Sequence, residues 1–180
     1  MNPTSYRILV MGASGCGKSL IGKQVASSLG AAFIDGDDYH PPANVAKMAS
    51  GTPLNDDDRQ GWLETLAELF AKYRQQDKTV IIACSGLKWR YRDCLRKGDP
   101  ALKILFLEGS RDLLRERLET REGHFFKGEN MLASQLADLE SPGNDEAFTV
   151  SIELSPEQIV SRFTDTLGNF SNRTPGAPLL

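Results

Sequence analysis

Few cysteines, few histidines and no excess of basic charge limit what this chain of 180 residues can be. Its three cysteines, Cys16, Cys84 and Cys94, are odd in number and have no CxxC spacing, and there are only two histidines. Neither a disulfide framework nor a zinc site is therefore indicated, and a reducing compartment is expected. The formal net charge of −3 provides no basic field for a nucleic-acid backbone, so we expect no nucleic-acid partner.

Long apolar runs are also absent. No run approaches the roughly 18 residues that a membrane-spanning helix needs, and the first residues, MNPTS, lack the charged and apolar regions of a signal peptide. We therefore expect a cytoplasmic protein with no membrane partner. With 40% apolar residues, positions 1–167 suffice for one compact domain, whereas positions 168–180, rich in Gly, Pro, Asn and Ser, predict a disordered tail.

Short apolar segments rich in β-branched residues alternate with longer segments of helical period, which is typical of an α/β protein with a mostly parallel sheet. The run at 80–83 is apolar at every position, as in a strand covered on both faces, and is predicted to be central. The predicted strands are 7–11, 32–35, 79–84, 103–108 and 149–153. The predicted helices are 18–29, 56–76 and 111–121, one that begins near 130, and one that begins at Pro156.

The most specific local signal is a glycine-rich loop between the first predicted strand and the first predicted helix. Residues 12–19, GASGCGKS, match the GxxxxGK(S/T) pattern of the phosphate-binding loop, in which glycines let backbone N–H groups turn toward phosphate oxygens. Lys18 is predicted to bridge the β- and γ-phosphates, and Ser19 to ligate Mg²⁺. The predicted nucleotide contacts in this loop are Gly12, Ser14, Gly15, Cys16, Gly17, Lys18 and Ser19.

Acidic residues follow the second predicted strand, where residues 35–41 read DGDDYHP. The carboxyl end of a parallel strand lies at the edge where open α/β sheets bind ligands. We assign Asp35 to the metal side and Asp37 as the candidate base that accepts the proton of an attacking hydroxyl. The alternative is an Asp-Gly turn whose acids are simply solvated.

The predicted helix over 111–121 carries four arginines and precedes a segment, about residues 121–129, that is interpreted as a small hinged lid. A spacing of four places Arg117 and Arg121 on one helix face, where they can meet the triphosphate, stabilise transition-state charge and help to exclude water. Arg111 and Arg115 are instead interpreted as part of a solvated face, because acids are interleaved with them.

Several further motifs follow one another along the chain. They are DGDDYHP at 35–41, NVAKMASGTPLNDDDR at 44–59, WL at 62–63, CSGLK at 84–88, YRD at 91–93, GHFF at 123–126, ML at 131–132, SQ at 134–135 and LE at 139–140. In this order they resemble the gluconokinase family, and the resemblance covers about residues 7–167. Two positions depart from the family pattern: Cys16 replaces a small residue such as serine and is a candidate for oxidation or alkylation, and Gly86 stands where alanine is expected.

The resemblance implies a P-loop NTPase of the nucleoside-monophosphate-kinase-like class, with a parallel five-stranded sheet flanked by helices and a small lid. It implies ATP-dependent phosphorylation of D-gluconate to 6-phospho-D-gluconate, with Mg²⁺ as cofactor. Lys18, Asp37 and Arg121 would then form the catalytic set, and Pro156 would line the adenine pocket. A homodimer is also implied, although no exposed apolar stripe in the sequence indicates one.

Gluconate is a polyol carboxylate, so its site requires cations and hydrogen-bond donors. Arg59, Lys88 and Arg92 are the candidate cations. His40 and His124 are candidate hydrogen-bond donors. Each cation has a structural alternative, because Arg59 can pair with acids of its own helix and the other two can face solvent. His40 can equally be a turn residue with no ligand.

Two rival functions stay open on the sequence. The first is the same chemistry on a shikimate-type acid, another sugar acid or a nucleoside monophosphate, although a monophosphate would require a concentrated arginine site. The second is a nucleotide-binding regulator without turnover. The presence of Asp37 and of the lid arginines argues against a regulator, since a sensor needs no base; ATP binding without ADP production would support it.

Overall fold

Five parallel strands form one sheet in the part of the chain that the structure, a computed structural model, describes, namely residues 4–122 and 129–171. The strand order is β2-β3-β1-β4-β5, so β1 rather than the predicted β3 holds the centre. β3 is still interior, because it pairs with β1 on one side and β2 on the other. The strands are β1 (Arg7–Met11), β2 (Ala32–Asp35), β3 (Val80–Ala83), β4 (Lys103–Glu108) and β5 (Phe148–Ser151).

Helices connect and cover these strands. The short helices α2 and α4 and a 3-10 turn at Gly36–Tyr39 were not predicted, because segments of eight residues or fewer carry too little periodicity. The helices are α1 (Lys18–Leu29), α2 (Pro42–Ala49), α3 (Asp56–Gln75), α4 (Trp89–Arg96), α5 (Arg111–Glu122), α6 (Glu129–Asp138) and α7 (Pro156–Ser171).

The sheet is covered on both faces, as the apolar strands predict. In β1, Ile8 and Val10 join a buried cluster with side chains of α1, α5 and α7, whereas Leu9 and Met11 join a second cluster with α3 and α4. This alternation follows from the two-residue period of a strand. The loops at the carboxyl edge of the sheet carry the phosphate-binding motif and the acidic DGDDYHP motif.

Side-chain caps mark the start of two helices. Asn55 and Asp58 form a reciprocal capping box at the start of α3, and Ser110 Oγ accepts the backbone N–H of Leu113 at 3.2 Å at the start of α5. α7 continues to Ser171, four residues beyond the predicted end of the domain at 167. Its buried apolar side chains outweigh the low helix propensity of the glycine at 168.

All three cysteines are buried and unpaired, which fits the prediction of a chain without a disulfide framework. In residues 4–122 and 129–171, no helix combines the length and the apolar composition that crossing a bilayer requires.

Candidate active site

The phosphate-binding loop joins β1 to α1, as predicted. Gly12, Gly15 and Gly17 have φ angles of 151°, 87° and 92°, which a side chain would strain, so the loop can adopt this path only with glycines. Lys18 Nζ donates to the carbonyl oxygens of Gly12 at 3.0 Å and Ala13 at 3.4 Å. The lysine thus lies along the rim of the loop, beside the space that its N–H groups surround.

Cys16 does not behave as the sequence suggested. Its side chain lies under the loop and the residue is only 2% exposed. A Cβ at Gly12 would come within 2.7 Å of its Sγ, so the thiol fills a tight space. The burial of this sulfur argues against the hypothesis that Cys16 is a target for alkylation.

The two side chains predicted to hold Mg²⁺, Ser19 and Asp35, lie together beside the loop. Ser19 Oγ donates to Asp35 Oδ2 at 3.1 Å, and Asp35 Oδ1 accepts the backbone N–H of Asp37 at 3.0 Å. No group of three acidic, histidine or cysteine side chains suited to a metal occurs among the described residues. Mg²⁺ fits such a site, since it commonly binds one or two protein oxygens and completes its octahedron with phosphates and water.

The loop opens into two adjoining cavities of about 710 Å³ and about 730 Å³, which we call the acceptor cavity and the arginine cavity. Both are lined by Ser14, Lys18, Asp37 and Leu118, so they form one continuous cleft. Their size is that of a typical small-molecule site. The acceptor cavity adds His40, Met48, Arg59, Trp62, Ser85 and Gln135, and the arginine cavity adds Gly15, Gly17, Ser19, Arg117 and Arg121.

Asp37 stands at the junction of these cavities. Its side chain is 74% exposed to solvent, but partial desolvation by the surrounding protein still raises its pKa. The positive charge of Lys18 opposes the rise and the negative charge of Asp35 adds to it. A carboxylate whose pKa is raised, next to a phosphate-binding lysine, suits the role of proton acceptor.

His40 lies against the floor of the acceptor cavity. Its ring stacks on Trp62 with centroids 4.0 Å apart and planes 18° apart, and its Nε2 is 3.8 Å from Asp37 Oδ1. Burial lowers the pKa of His40; the Asp37 charge raises it and the Arg59 charge lowers it. The imidazole is therefore neutral near pH 7 and faces the cleft rather than serving only as a turn residue.

Arg59 and Lys88 occupy different positions relative to the cleft. Arg59 is 7% exposed and lines the acceptor cavity, with its Nη1 donating to Tyr91 Oη at 2.9 Å and to Asp138 Oδ2 at 3.4 Å. Lys88 instead donates to Asp56 Oδ1 at 2.9 Å and lines a neighbouring cavity that shares Arg59. The hydrogen bond with Asp56 raises the pKa of Lys88, so its charge is already compensated within the protein.

Arg92 requires a correction. It is 1% exposed, and its guanidinium donates to Glu146 at 2.6 Å and to the backbone carbonyls of Gly86, Leu87 and Glu140. None of these partners lines the acceptor cavity. The prediction that Arg92 binds substrate is therefore wrong: Arg92 joins α4 to the segment before β5, and its partner lies 54 residues away in the sequence.

The two arginines of α5 that the helical spacing places on one face both line the same cavity. Arg117 and Arg121 line the arginine cavity together with Lys18, and Arg117 Nη2 also donates to the carbonyl of Ile152 at 2.7 Å. Arg115 pairs with Glu119 at 3.0 Å on the outer face of α5. Pro156 begins α7 outside the lining of both cavities. His124 and most of the predicted lid lie outside the described residues.

Sequence reasoning missed two residues that line the acceptor cavity, Gln135 and Trp62, and a third, Asn44, that contacts His40. Gln135 Oε1 accepts the backbone N–H of Ser14, in the phosphate loop, at 2.7 Å. Trp62 supplies the stacking surface for the His40 ring. Asn44, which is 4% exposed, contacts Nδ1 of the His40 ring. The sequence could have indicated all three, because they belong to motifs that resemble the gluconokinase family. Helical periodicity instead assigned Trp62 to the core, and Trp62 does also pack in a buried cluster.

Comparisons with known proteins by sequence extend this description. The family model for shikimate kinase matches residues 14–168. A thermoresistant gluconokinase of Escherichia coli strain K12 is 46% identical over 153 residues, which cover 85% of this chain and 87% of the relative. A probable gluconokinase of Schizosaccharomyces pombe is 40% identical over 184 residues, with 96% of this chain and 95% of the relative covered.

Solved structures give the same picture. A gluconokinase from Sinorhizobium meliloti 1021 superposes with a TM-score of 0.82 at 38% identity, covering 96% of this chain and 100% of the other. The APS kinase of Mycobacterium tuberculosis, at 18% identity, has a TM-score of 0.67 and covers 92% of this chain and 99% of the other, a likeness that bears on the fold alone. The predicted P-loop kinase fold is confirmed.

Proposed function

This chain belongs to the gluconokinase family, within the wider group of P-loop kinases that the shikimate kinase model also matches, and we infer its reaction from that membership. It transfers the γ-phosphoryl group of ATP to D-gluconate and releases 6-phospho-D-gluconate and ADP. Relatives named gluconokinase cover most of the chain at 40% identity or more, which favours gluconate over shikimate as the acceptor.

One structural observation carries the proposal from fold to chemistry. The lysine of the phosphate loop and the carboxylate of Asp37 line the same cleft, with His40 and Arg59 on its acceptor side. A regulator that only binds nucleotide requires the loop but not this second wall. A kinase requires both, because the acceptor hydroxyl must reach the γ-phosphorus without water taking its place.

On the nucleotide side, the N–H groups of the loop and the Lys18 ammonium hold the β- and γ-phosphates. Arg117 and Arg121 contribute positive charge from α5 and stabilise the negative charge that spreads over the transferred phosphoryl group. Ser19 and Asp35 would hold Mg²⁺, which would supply further neutralisation of the phosphate charge. The position of Pro156 beside the adenine, inherited from the resemblance, stays a prediction.

On the acceptor side, Arg59 binds the carboxylate of gluconate and Asp37 orients the terminal hydroxyl. The hydroxyl oxygen forms the new bond to the γ-phosphorus as the bond from phosphorus to the β–γ bridging oxygen breaks. ADP leaves with that electron pair, and the hydroxyl proton passes to Asp37. Lys88 lies one cavity away, so its contribution is the support of Asp56 and Tyr91 near Arg59 rather than a first contact with substrate.

The direct test is an acceptor panel. Purified protein with ATP and Mg²⁺ is assayed for ADP release with D-gluconate, related sugar acids, shikimate and nucleoside monophosphates, and without acceptor. We expect release that depends on gluconate and a product with the mass of 6-phosphogluconate. Preference for shikimate would keep the kinase and overturn the acceptor, whereas ATP binding without release on any acceptor would favour a regulator.

Three broader statements remain proposals with their own checks. A cytoplasmic location fits an ATP-consuming enzyme with three unpaired cysteines and can be tested by fractionation. The homodimer implied by the family resemblance can be tested by light scattering across a range of protein concentrations. The expected lack of nucleic-acid binding rests on the net charge of −3 and can be tested by a gel-shift assay.

A further inference from the structure

Asn44, which faces the interior from α2, uses one amide nitrogen for two contacts. Its Nδ2 donates to the backbone carbonyl of Asp58 at 2.7 Å and lies 3.3 Å from Nδ1 of His40. A carbonyl oxygen can only accept, so the nitrogen of the amide, not its oxygen, must face Asp58. The backbone of α3 thereby determines which way the Asn44 amide points.

The orientation of this amide determines the hydrogen on the imidazole. Since an amide nitrogen can only donate, a hydrogen bond between Asn44 Nδ2 and His40 Nδ1, 3.3 Å apart, requires that Nδ1 accepts and carries no proton. A neutral imidazole then bears its hydrogen on Nε2, the nitrogen that faces Asp37 at 3.8 Å. Stacking on Trp62 holds the ring plane, and Trp62 is itself held by its Nε1, which donates to the carbonyl of Gly36 at 2.7 Å.

The charges around the ring keep it neutral. Burial and the positive charge of Arg59, on α3, both lower the pKa of His40, and the negative charge of Asp37, in the 3-10 turn, opposes them. Lys47 on α2 and Asp58 on α3 are paired with each other at 2.6 Å. The environment therefore favours the form that the Asn44 hydrogen bond selects.

We propose that Asn44 is a positioning residue that fixes His40 as a hydrogen-bond donor toward the acceptor hydroxyl, which leaves proton removal to Asp37 alone. This inference rests on the proposed function, in which Asp37 receives the hydroxyl proton. The 3.8 Å between His40 Nε2 and Asp37 Oδ1 is too long for a direct hydrogen bond, and an oxygen about 2.8 Å from each atom would bridge them.

In this arrangement, His40 can only donate a hydrogen bond to a group in the cleft. Because Nε2 already carries hydrogen and Nδ1 accepts from Asn44, the imidazole cannot take a proton from the cleft. It can donate to a lone pair of the substrate oxygen while that oxygen donates its own hydrogen to Asp37. The hydroxyl is then held with its remaining lone pair available to attack phosphorus.

Nitrogen-detected NMR of the histidine rings tests the tautomer without any turnover. The sequence has only two histidines, and His40→Phe, which retains a ring over Trp62, assigns the signals of His40. We expect a protonated Nε2 and an unprotonated Nδ1 in the unmodified protein. In Asn44→Asp, which can only accept, we expect the hydrogen on Nδ1 or on both nitrogens. Asn55→Ala, which removes the cap of α3 but does not touch His40, should leave the tautomer unchanged.

Kinetics then test whether the tautomer matters. We expect Asn44→Asp to lower kcat/KM for gluconate at least tenfold while KM for ATP changes less than twofold. In a His40→Phe background the same substitution should add less than a twofold effect, since the ring that it positions is gone. Equal losses in both backgrounds would overturn the proposal, because Asn44 would then act only through the fold.

The ring spectrum also separates this inference from the function it rests on. An unmodified protein with hydrogen on Nδ1 contradicts the role of Asn44 even if gluconate is the acceptor, and it does so without a variant that might misfold. Absence of turnover on gluconate, with the Nε2–H tautomer intact, would instead remove the proposed reaction while leaving the geometry around Asn44 correct.

Discussion

The two walls of the cleft are built in different ways. The nucleotide wall comes mainly from residues 12–19, a contiguous loop whose positive φ angles are set by its own glycines. The acceptor wall combines the turn after β2 with α2 and α3, held by side-chain bonds such as Lys47 to Asp58 at 2.6 Å and Trp62 to Gly36 at 2.7 Å. The geometry of the nucleotide wall is therefore determined by its own local sequence, whereas the geometry of the acceptor wall depends on tertiary packing.

Two arginines show the same contrast within the acceptor region. Arg59 and Arg92 were equal candidates for substrate binding on the sequence. The structure places Arg59 in the acceptor cavity and Arg92 inside the protein, bonded to Glu146 and to three carbonyls. Substitutions in the nucleotide wall, the acceptor wall and this internal network should therefore change different measured quantities.

The largest effect is expected in the nucleotide wall. Lys18→Met removes the ammonium that we propose contacts the phosphates and should lower kcat by about 10³-fold, since preorganised donors of this kind contribute about 3–4 kcal/mol to the transition state. Lys23→Met is the matched control, because Lys23 lies on the same helix over the Phe33 ring and outside the cleft. Similar turnover in both variants would remove Lys18 from the mechanism.

The next effect is on stability rather than on binding. Arg92→Met leaves Glu146 with Arg96 as its remaining ion-pair partner at 2.5 Å and removes the side-chain donor of three carbonyls, of which that of Leu87 keeps the backbone N–H of Glu140 at 2.8 Å. We expect the free energy of unfolding to fall by about 3 kcal/mol in urea titrations, with KM for gluconate unchanged in the folded protein. A raised KM with unchanged stability would return Arg92 to the substrate site.

A smaller effect is expected at the other arginine. Arg59→Met should raise KM for gluconate about 10- to 100-fold, the equivalent of one hydrogen bond to a charged group at about 1.5–3 kcal/mol, and should leave KM for ATP nearly unchanged. Arg90→Met is the control, because Arg90 is exposed and pairs with Asp56. Equal KM values for the two variants would show that the carboxylate binds elsewhere.

The smallest effect concerns the protonation of Asp37, which lies where the nucleotide wall and the acceptor wall meet. Desolvation raises the pKa of Asp37, so kcat/KM for gluconate should fall on acidification at a pH above the usual carboxyl value of about 4. The raised pKa favours the protonated form in the folded state, and ionisation of Asp37 therefore weakens the fold as pH rises through that pKa. Asp37→Asn should raise Tm at pH 7, by less than about 2 °C, and the gain should shrink toward pH 4.

Asp38→Asn provides the comparison for this measurement. Asp38 lies in the same 3-10 turn but lines neither cavity. A Tm gain of equal size in both variants would show that the turn as a whole, rather than the cleft around Asp37, is responsible.

What could be predicted from the sequence follows the same division. The strands and long helices were placed within about two residues, because their apolar periods and caps are local signals. The phosphate loop and the pairing of Ser19 with Asp35 were also predictable, since they follow from a motif and from the strand edge where it lies. Arg117 and Arg121 lie on one face of α5 as their spacing indicated.

The rest depended on contacts between distant segments. Nothing local distinguishes Arg92, whose partner is 54 residues away, from Arg59, whose contact with Tyr91 spans 32 residues. The stack of His40 on Trp62 joins a turn to a helix that periodicity assigned to the core. The tautomer of His40 depends on a carbonyl of α3, which only the folded arrangement reveals.

The most direct test of the account separates ATP binding from transfer at Asp37. Asp37→Asn keeps the shape of the side chain but removes the proton acceptor, so we expect an ATP dissociation constant within about threefold of the unmodified protein and a loss in kcat of about 10³-fold with gluconate. Titration calorimetry and coupled ADP release on the same preparations give both values. Near-normal turnover in Asp37→Asn would contradict the central claim that the two walls meet at this carboxylate.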